Sequence, residues 1–178
     1  MKIEIKHHWT GAVLFSTDAE SLKDALDKAV TSGSNLRGCD LRGSSLSYSD
    51  LRGCDLRGCD LSYSNLSGSD LTVIRDDLWA VLSSAPKEVE GLRQALIDGH
   101  VNGGSYTGQC ACLVGTIANN CNKKYNELDV LKPNSARPAE RFFLAINTGD
   151  TPRNSQFSKL AVEWIDQWLA AMRSAFAA

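Results

Sequence analysis

Leucine recurs at positions 36, 41, 46, 51, 56, 61, 66 and 71, eight times at a spacing of five. The residue before each leucine is Asn35, Asp40, Ser45, Asp50, Asp55, Asp60, Asn65 or Asp70, and two before it stands a Ser or Cys. The two that follow are mostly Arg-Gly, Ser-Tyr or Ser-Gly. A period of five fits neither the 3.6 of a helix nor the 2 of a strand. A small polar residue beside every leucine further disfavours a long helix, because such side chains compete for backbone hydrogen bonds. A chain that extends briefly and turns every five residues brings all eight leucines to one axis, and glycine and Asx tolerate the turn conformations this demands. Each pass then leaves backbone donors and acceptors open until the next pass stacks on it.

This pattern resembles the pentapeptide repeat family, whose members form a right-handed quadrilateral β-helix with four pentapeptides per coil. Carried onto this chain, the resemblance implies two coils with a twenty-residue vertical period. Leu36, Leu41, Leu46, Leu51, Leu56, Leu61, Leu66 and Leu71 then form the repeat core, the residues two before them also point inward, and the Arg and Ser after them point out. Cys39 is expected to stack with Cys59, Cys54 with Ser34, and Arg37 beside Arg57. The inward small position is usually alanine in the family. Here it is always Ser or Cys, so the core calls for internal hydrogen bonds.

Two coils expose an apolar cross-section at each end and need caps. Residues 1–33 supply one candidate. Lys2–His7 and Gly11–Phe15 are expected to form a hairpin, and Ser21, with Asp24 three residues on, opens a helix that Gly33 stops. After residue 73 the apolar spacing becomes helical. Helices are predicted over Asp76–Ser84, from Pro86 to Gly99, and over Cys110–Asn119, Pro138–Asn147 and Ser158–Phe176. The expected architecture is α+β, with an N-terminal cap (1–33), a pentapeptide-repeat β-helix (34–73) and a mainly α-helical domain (74–178). The opening MKIEIKHHWTGAVLF and the stretches PNSARPAERFFLAI and VEWIDQWL are similar to bacteriophage and prophage proteins that carry such repeats.

Charge names no partner. Formal net charge is −2, and residues 34–73 carry four arginines against five aspartates, so neither nucleic acid nor an anionic membrane is drawn to the chain. The longest apolar run in the first sixteen residues, Ala12–Phe15, is too short for a signal or membrane segment. The expectation is a cytoplasmic protein with reduced cysteines. Cys39, Cys54 and Cys59 are then compact apolar fillers. His100, Cys110, Cys112 and Cys121 are zinc-type ligands, but Cys-x-Cys is tighter than a zinc knuckle and the run around it is apolar, so core packing is the expectation and no metal or cofactor is assigned. Three histidines, with His7 and His8 adjacent and so on opposite faces of a strand, compose no catalytic triad.

What remains is a surface. Arg37, Arg42, Arg52 and Arg57 lie outward between aspartates, with Tyr48 and Tyr63 nearby, and Arg and Tyr are the residue types enriched at binding hot spots. The functional expectation is a non-enzymatic, phage-derived accessory protein that binds and modulates a host protein involved in defence or DNA processing. One alternative is duplex mimicry against a DNA-binding enzyme such as gyrase, as in some family members; two coils of balanced charge are short for it, though a homodimer would lengthen the surface. The other is a small metal-dependent domain after residue 74.

Overall fold

The computed structural model describes residues 1–49, 51, 59–128 and 131–176. Mixed α and β elements divide into two compact units, one of residues 1–76 with 135–142 and one of residues 77–134 with 143–178.

The first unit opens with an antiparallel hairpin of β1 (Lys2–Lys6) and β2 (Val13–Asp18), in which Ile5 faces Phe15 and a bulge follows Ile5. Both strands end or begin away from the expected Lys2–His7 and Gly11–Phe15, because residues 7–12 form the turn: His7 N donates to Ala12 O (2.8 Å) and Gly11 N to His7 O (2.9 Å). Helix α1 (Leu22–Thr31) starts as expected, with Ser21 Oγ accepting from Asp24 N at 3.1 Å. The Asp24 carboxylate returns to Glu20 N and takes a Lys28 ion pair at 2.9 Å, which hold its pKa below the usual carboxylate range. Ala25, Leu26 and Ala29 face inward.

The repeat follows. Leu36, Leu41, Leu46, Leu51, Leu61, Leu66 and Leu71 are all buried; Leu56 lies outside the described residues. The carbonyls of Leu36, Leu41, Leu46, Leu61 and Leu66 each accept from the backbone amide three residues on, at Cys39, Ser44, Ser49, Ser64 and Ser69. The third residue of each such turn has positive φ, the type II requirement: Gly38, Gly43, Tyr48, Tyr63 and Gly68. The Asx before the leucine braces the turn. Asn35, Asp40, Asp60, Asn65 and Asp70 each accept, through Oδ1, from the amide two residues later.

Successive passes are tied at an offset near twenty residues. Parallel bridges join Asp40 to Asp60 and Ser45 to Asn65. Leu41 N donates to Asp60 O, Asp60 N to Cys39 O, Leu46 N to Asn65 O and Asn65 N to Ser44 O, all at 2.9 Å. Among the described residues these are isolated bridges rather than strands, because turns leave only one or two extended residues between them. The hydroxyls of the core find most of the internal hydrogen bonds that the composition requires. Ser44, Ser64 and Ser69 donate to the carbonyls of Leu41, Leu61 and Leu46, while Ser49 Oγ has no partner among the described residues. At the other edge the hairpin pairs with the first pass: Asp40 N donates to Lys6 O (2.8 Å), His8 N to Gly38 O (2.9 Å), and His7 bridges Cys39.

Helix α2 (Thr72–Ser84) begins straight out of the last repeat, four residues earlier than the spacing predicted: the turn after Leu71 continues as helix, with the Ile74 and Arg75 amides both donating to Leu71 O (3.0 Å), while Asp70 accepts from the Thr72 amide and hydroxyl. In the second unit a 3₁₀ turn (Pro86–Glu88) leads into α3 (Val89–Ile97). Helix α4 (Leu113–Asn120) starts after Cys112, so Cys110 precedes it rather than opening it. Helix α5 (Pro138–Phe143) is shorter than expected, and α6 (Gln156–Phe176) is the longest. Trp164 and Trp168 are buried on α6. Trp79 Nε1 donates to Trp164 O (3.0 Å), and Trp168 Nε1 donates to Ser83 Oγ (3.2 Å). No helix among the described residues is long and apolar enough to cross a membrane.

Candidate partner-binding surface

The turns decide which side chains the repeat presents. Positive φ is nearly free for glycine but costs an ordinary L-residue roughly 1–2 kcal/mol. Gly38, Gly43 and Gly68 meet that requirement, yet the same position is filled by Tyr48 (φ 58°) and Tyr63 (φ 61°). Neither tyrosine repays the strain by burial, since they are 76% and 83% exposed. Tyr48 lies along the column of Gly68, where a Cβ would come within 2.6 Å of its ring. The glycine therefore leaves room for the ring beside the next pass.

The sides between these turns differ in charge. One carries Asp40, Arg42 and Asp60. The Arg42 guanidinium donates to both Asp40 oxygens (2.8 and 2.6 Å) and stands 4.0 Å from Asp60, which holds the Asp40 carboxyl below its usual pKa and the arginine above its own. Arg42 is thus a fixed element of a charge ladder. Arg37 is exposed at the preceding turn, and Arg52 and Arg57 lie outside the described residues. The next side presents Ser45, Ser47, Asn65 and Ser67, all uncharged, and lies between the turns that hold Tyr48 and Tyr63.

The hairpin tip adds residues that the sequence places only at a turn or in a cap. His7 Nδ1 accepts from the amides of Trp9 (3.2 Å) and Thr10 (3.4 Å), and its ring covers Gly38, where a Cβ would lie 2.5 Å from Nε2. The His8 ring stacks on His7 at 5.4 Å and meets Trp9 edge-on at 5.6 Å. Burial, followed by the charge of Arg141, lowers the His8 pKa below its ordinary value, against the opposing pull of Asp60. Arg141 is anchored by donating to Cys59 O at 3.2 Å. Trp9 itself is 80% exposed. Nothing local in the sequence announces Arg141, and Trp9 was legible only as an aromatic at a turn.

The zinc-type residues are dispersed in character. His100 is exposed, Cys110 and Cys121 are half-buried, Cys112 is buried, and no group of three His, Cys, Asp or Glu among the described residues could hold a metal ion. Cys121 borders a cleft of about 430 Å³ that includes Pro86, Ile117, Leu128 and Leu131. Burial, with a hydrogen bond to Glu88, pushes its thiol pKa up, so the nucleophilic thiolate is suppressed.

Residues 33–72 match the family model for pentapeptide repeats, in eight copies. Comparison with curated proteins and with solved structures gave no match.

Proposed function

We propose that residues 34–73 form a two-coil, right-handed quadrilateral β-helix whose outer surface binds a protein partner, without catalysis. In this reading residues 1–33 cap the first coil, and the helical part of the chain after residue 74 forms a unit of its own apart from residues 135–142, which join the first. The observation that carries it is the pair of solvent-exposed tyrosines held at positive φ. Strain kept at exposed positions that glycine fills elsewhere is the signature of a residue retained for what it contacts. Tyrosine supplies large, rigid contact area at low entropic cost, and Arg42, already fixed by Asp40, adds a preorganised charge. The eight-copy repeat match supports the same class, because pentapeptide repeats often serve in protein interactions. The partner in this reading is a host protein in defence or DNA processing, the chain is phage-derived, and its place is the cytoplasm.

Capture with the tagged chain from lysate of its natural host, identification by mass spectrometry and titration of the purified partner test this directly. A saturable partner is expected, with Tyr48→Ala and Tyr63→Ala each weakening Kd by about 30-fold. Absence of any saturable partner, or a partner indifferent to both substitutions, overturns the reading.

A further inference from the structure

Cysteine occupies three of the eight positions two before a repeat leucine, at 39, 54 and 59. Their placement is unequal. Cys54 is twenty residues from Ser34, whereas Cys39 and Cys59 are twenty residues from each other. The corresponding positions on the next two sides are Ser44 with Ser64 and Ser49 with Ser69. The twenty-residue offset makes Cys39 and Cys59 direct neighbours on stacked passes, and the backbone fixes them there. Asp60 N donates to Cys39 O and Leu41 N to Asp60 O, both at 2.9 Å. The two Sγ atoms face each other inside the core at 2.7 Å, and both residues are fully buried. Stacked passes about 4.8 Å apart fall within the Cα separations that disulfides span, roughly 4.4–6.8 Å. A small closing movement brings the sulfurs to bonding distance, about 2.04 Å.

We infer that Cys39 and Cys59 are a disulfide-forming pair that clamps one pass of the repeat to the next when a low-molecular-weight disulfide, such as glutathione disulfide, serves as oxidant. The first thiolate attacks one sulfur of the carrier, forming a mixed disulfide and expelling one carrier thiolate. The second cysteine then attacks the protein sulfur of that mixed bond and expels the other. Two protein thiols lose two electrons and two protons, and the carrier disulfide gains them as two thiols. The core is closed to the carrier in the ground state, so the first attack follows local opening at the hairpin edge. There Cys39 is covered by the His7 bridge and by the bonds from Asp40 N to Lys6 O and from His8 N to Gly38 O. The clamp depends on the stacking offset alone and stands or falls independently of the partner reading.

The test compares the native chain with the same chain in urea across glutathione redox buffers, quenched by alkylation. Trypsin alone is ambiguous, because residues 38–42 and 53–57 are both GCDLR. A protease cutting before aspartate is ambiguous at the other end, because residues 50–54 and 55–59 are both DLRGC. The two digests together are decisive. A Cys39–Cys59 bond links GCDLR to residues 58–75 in the first digest and residues 27–39 to DLRGC in the second. The native chain is expected to form that pair at an oxidant level about 100-fold below that required in urea, the advantage of a loop already closed by folding. A native chain whose thiols are all alkylated under buffers that oxidise the unfolded one overturns the inference. So does a linkage through Cys54.

Discussion

Along the repeat, Leu41, Leu46, Asp60 and Asn65 find backbone partners one pass away at a nearly constant offset. In residues 77–134 with 143–178 the distant partners follow no rule: Gly103 N reaches Ile146 O (2.9 Å) and Gly149 N reaches Gly99 O (2.8 Å). The repeat satisfies its backbone by translation, so one set of side chains serves every pass. The helical unit does so through individual close approaches, several of them made at a glycine. A Cβ on Gly103 would overlap the Phe143 carbonyl, and one on Gly115 would come within 2.5 Å of Tyr106 O. Errors in the first region are local and shared among similar units, whereas errors in the second fall on contacts made once.

The largest effect is therefore expected at Gly103. Gly103→Ala forces backbone against backbone and is expected to cost about 3–5 kcal/mol. Urea unfolding followed by tryptophan fluorescence reads it, since Trp79, Trp164 and Trp168 belong to this unit. The repeat's nearest counterpart is Leu46→Ala, which empties a fully buried site and is expected to cost about 3 kcal/mol, read as faster amide exchange at Leu46 and Asn65. A cost for Gly103→Ala below that for Leu46→Ala would break the contrast.

That contrast also explains how much was legible beforehand. The five-residue leucine register states the core directly, and the Asx before every leucine but Leu46 announces a braced turn. Aligning the repeats by turn position also exposes Tyr48 and Tyr63 as tyrosines in a glycine's place, and the twenty-residue column pairs Cys39 with Cys59. The helices after residue 73 were visible as apolar spacing, but their ends were not. The turn after Leu71 runs on directly into α2, and Cys112 rather than Cys110 precedes α4. Least legible was anything that depends on return from a distance. Residues 135–142 rejoin the first unit and deliver Arg141 to Cys59 O, an approach across 82 positions with no periodic signature.

Within the repeat, smaller effects sharpen the account of the tyrosines. Gly43 and Gly68 have similar positive φ, but a Cβ on Gly43 meets nothing within 4 Å while one on Gly68 meets the Tyr48 ring. Gly43→Ala is expected to cost about 1 kcal/mol from backbone strain alone. Gly68→Ala is expected to cost more, and the excess should vanish in the Tyr48→Gly background, as a double-mutant cycle by urea titration would show. Tyr63→Gly is expected to be neutral or stabilising by up to about 1 kcal/mol while weakening partner binding. If it destabilises the fold, Tyr63 is structural and its strain says nothing about a partner.

The smallest expected effect belongs to His8. Burial and Arg141 lower its pKa in the folded chain below the ordinary value of 6.5, so the unfolded chain binds a proton first as pH falls. Stability contributed by the neutral ring is fully present above the unfolded value and declines as pH drops from about 6.5 toward the lower folded pKa, where it levels off. Asp60 and Asp40 pull the other way, and the site is partly open to solvent, which keeps the whole change under about 1 kcal/mol. Thermal unfolding between neutral and mildly acidic pH, in wild type and His8→Gln, isolates it: the wild type should lose more Tm on acidification than the variant. Equal slopes would mean that His8 contributes no proton linkage. A steeper slope in the variant would mean that the aspartates, not burial and Arg141, govern the ring.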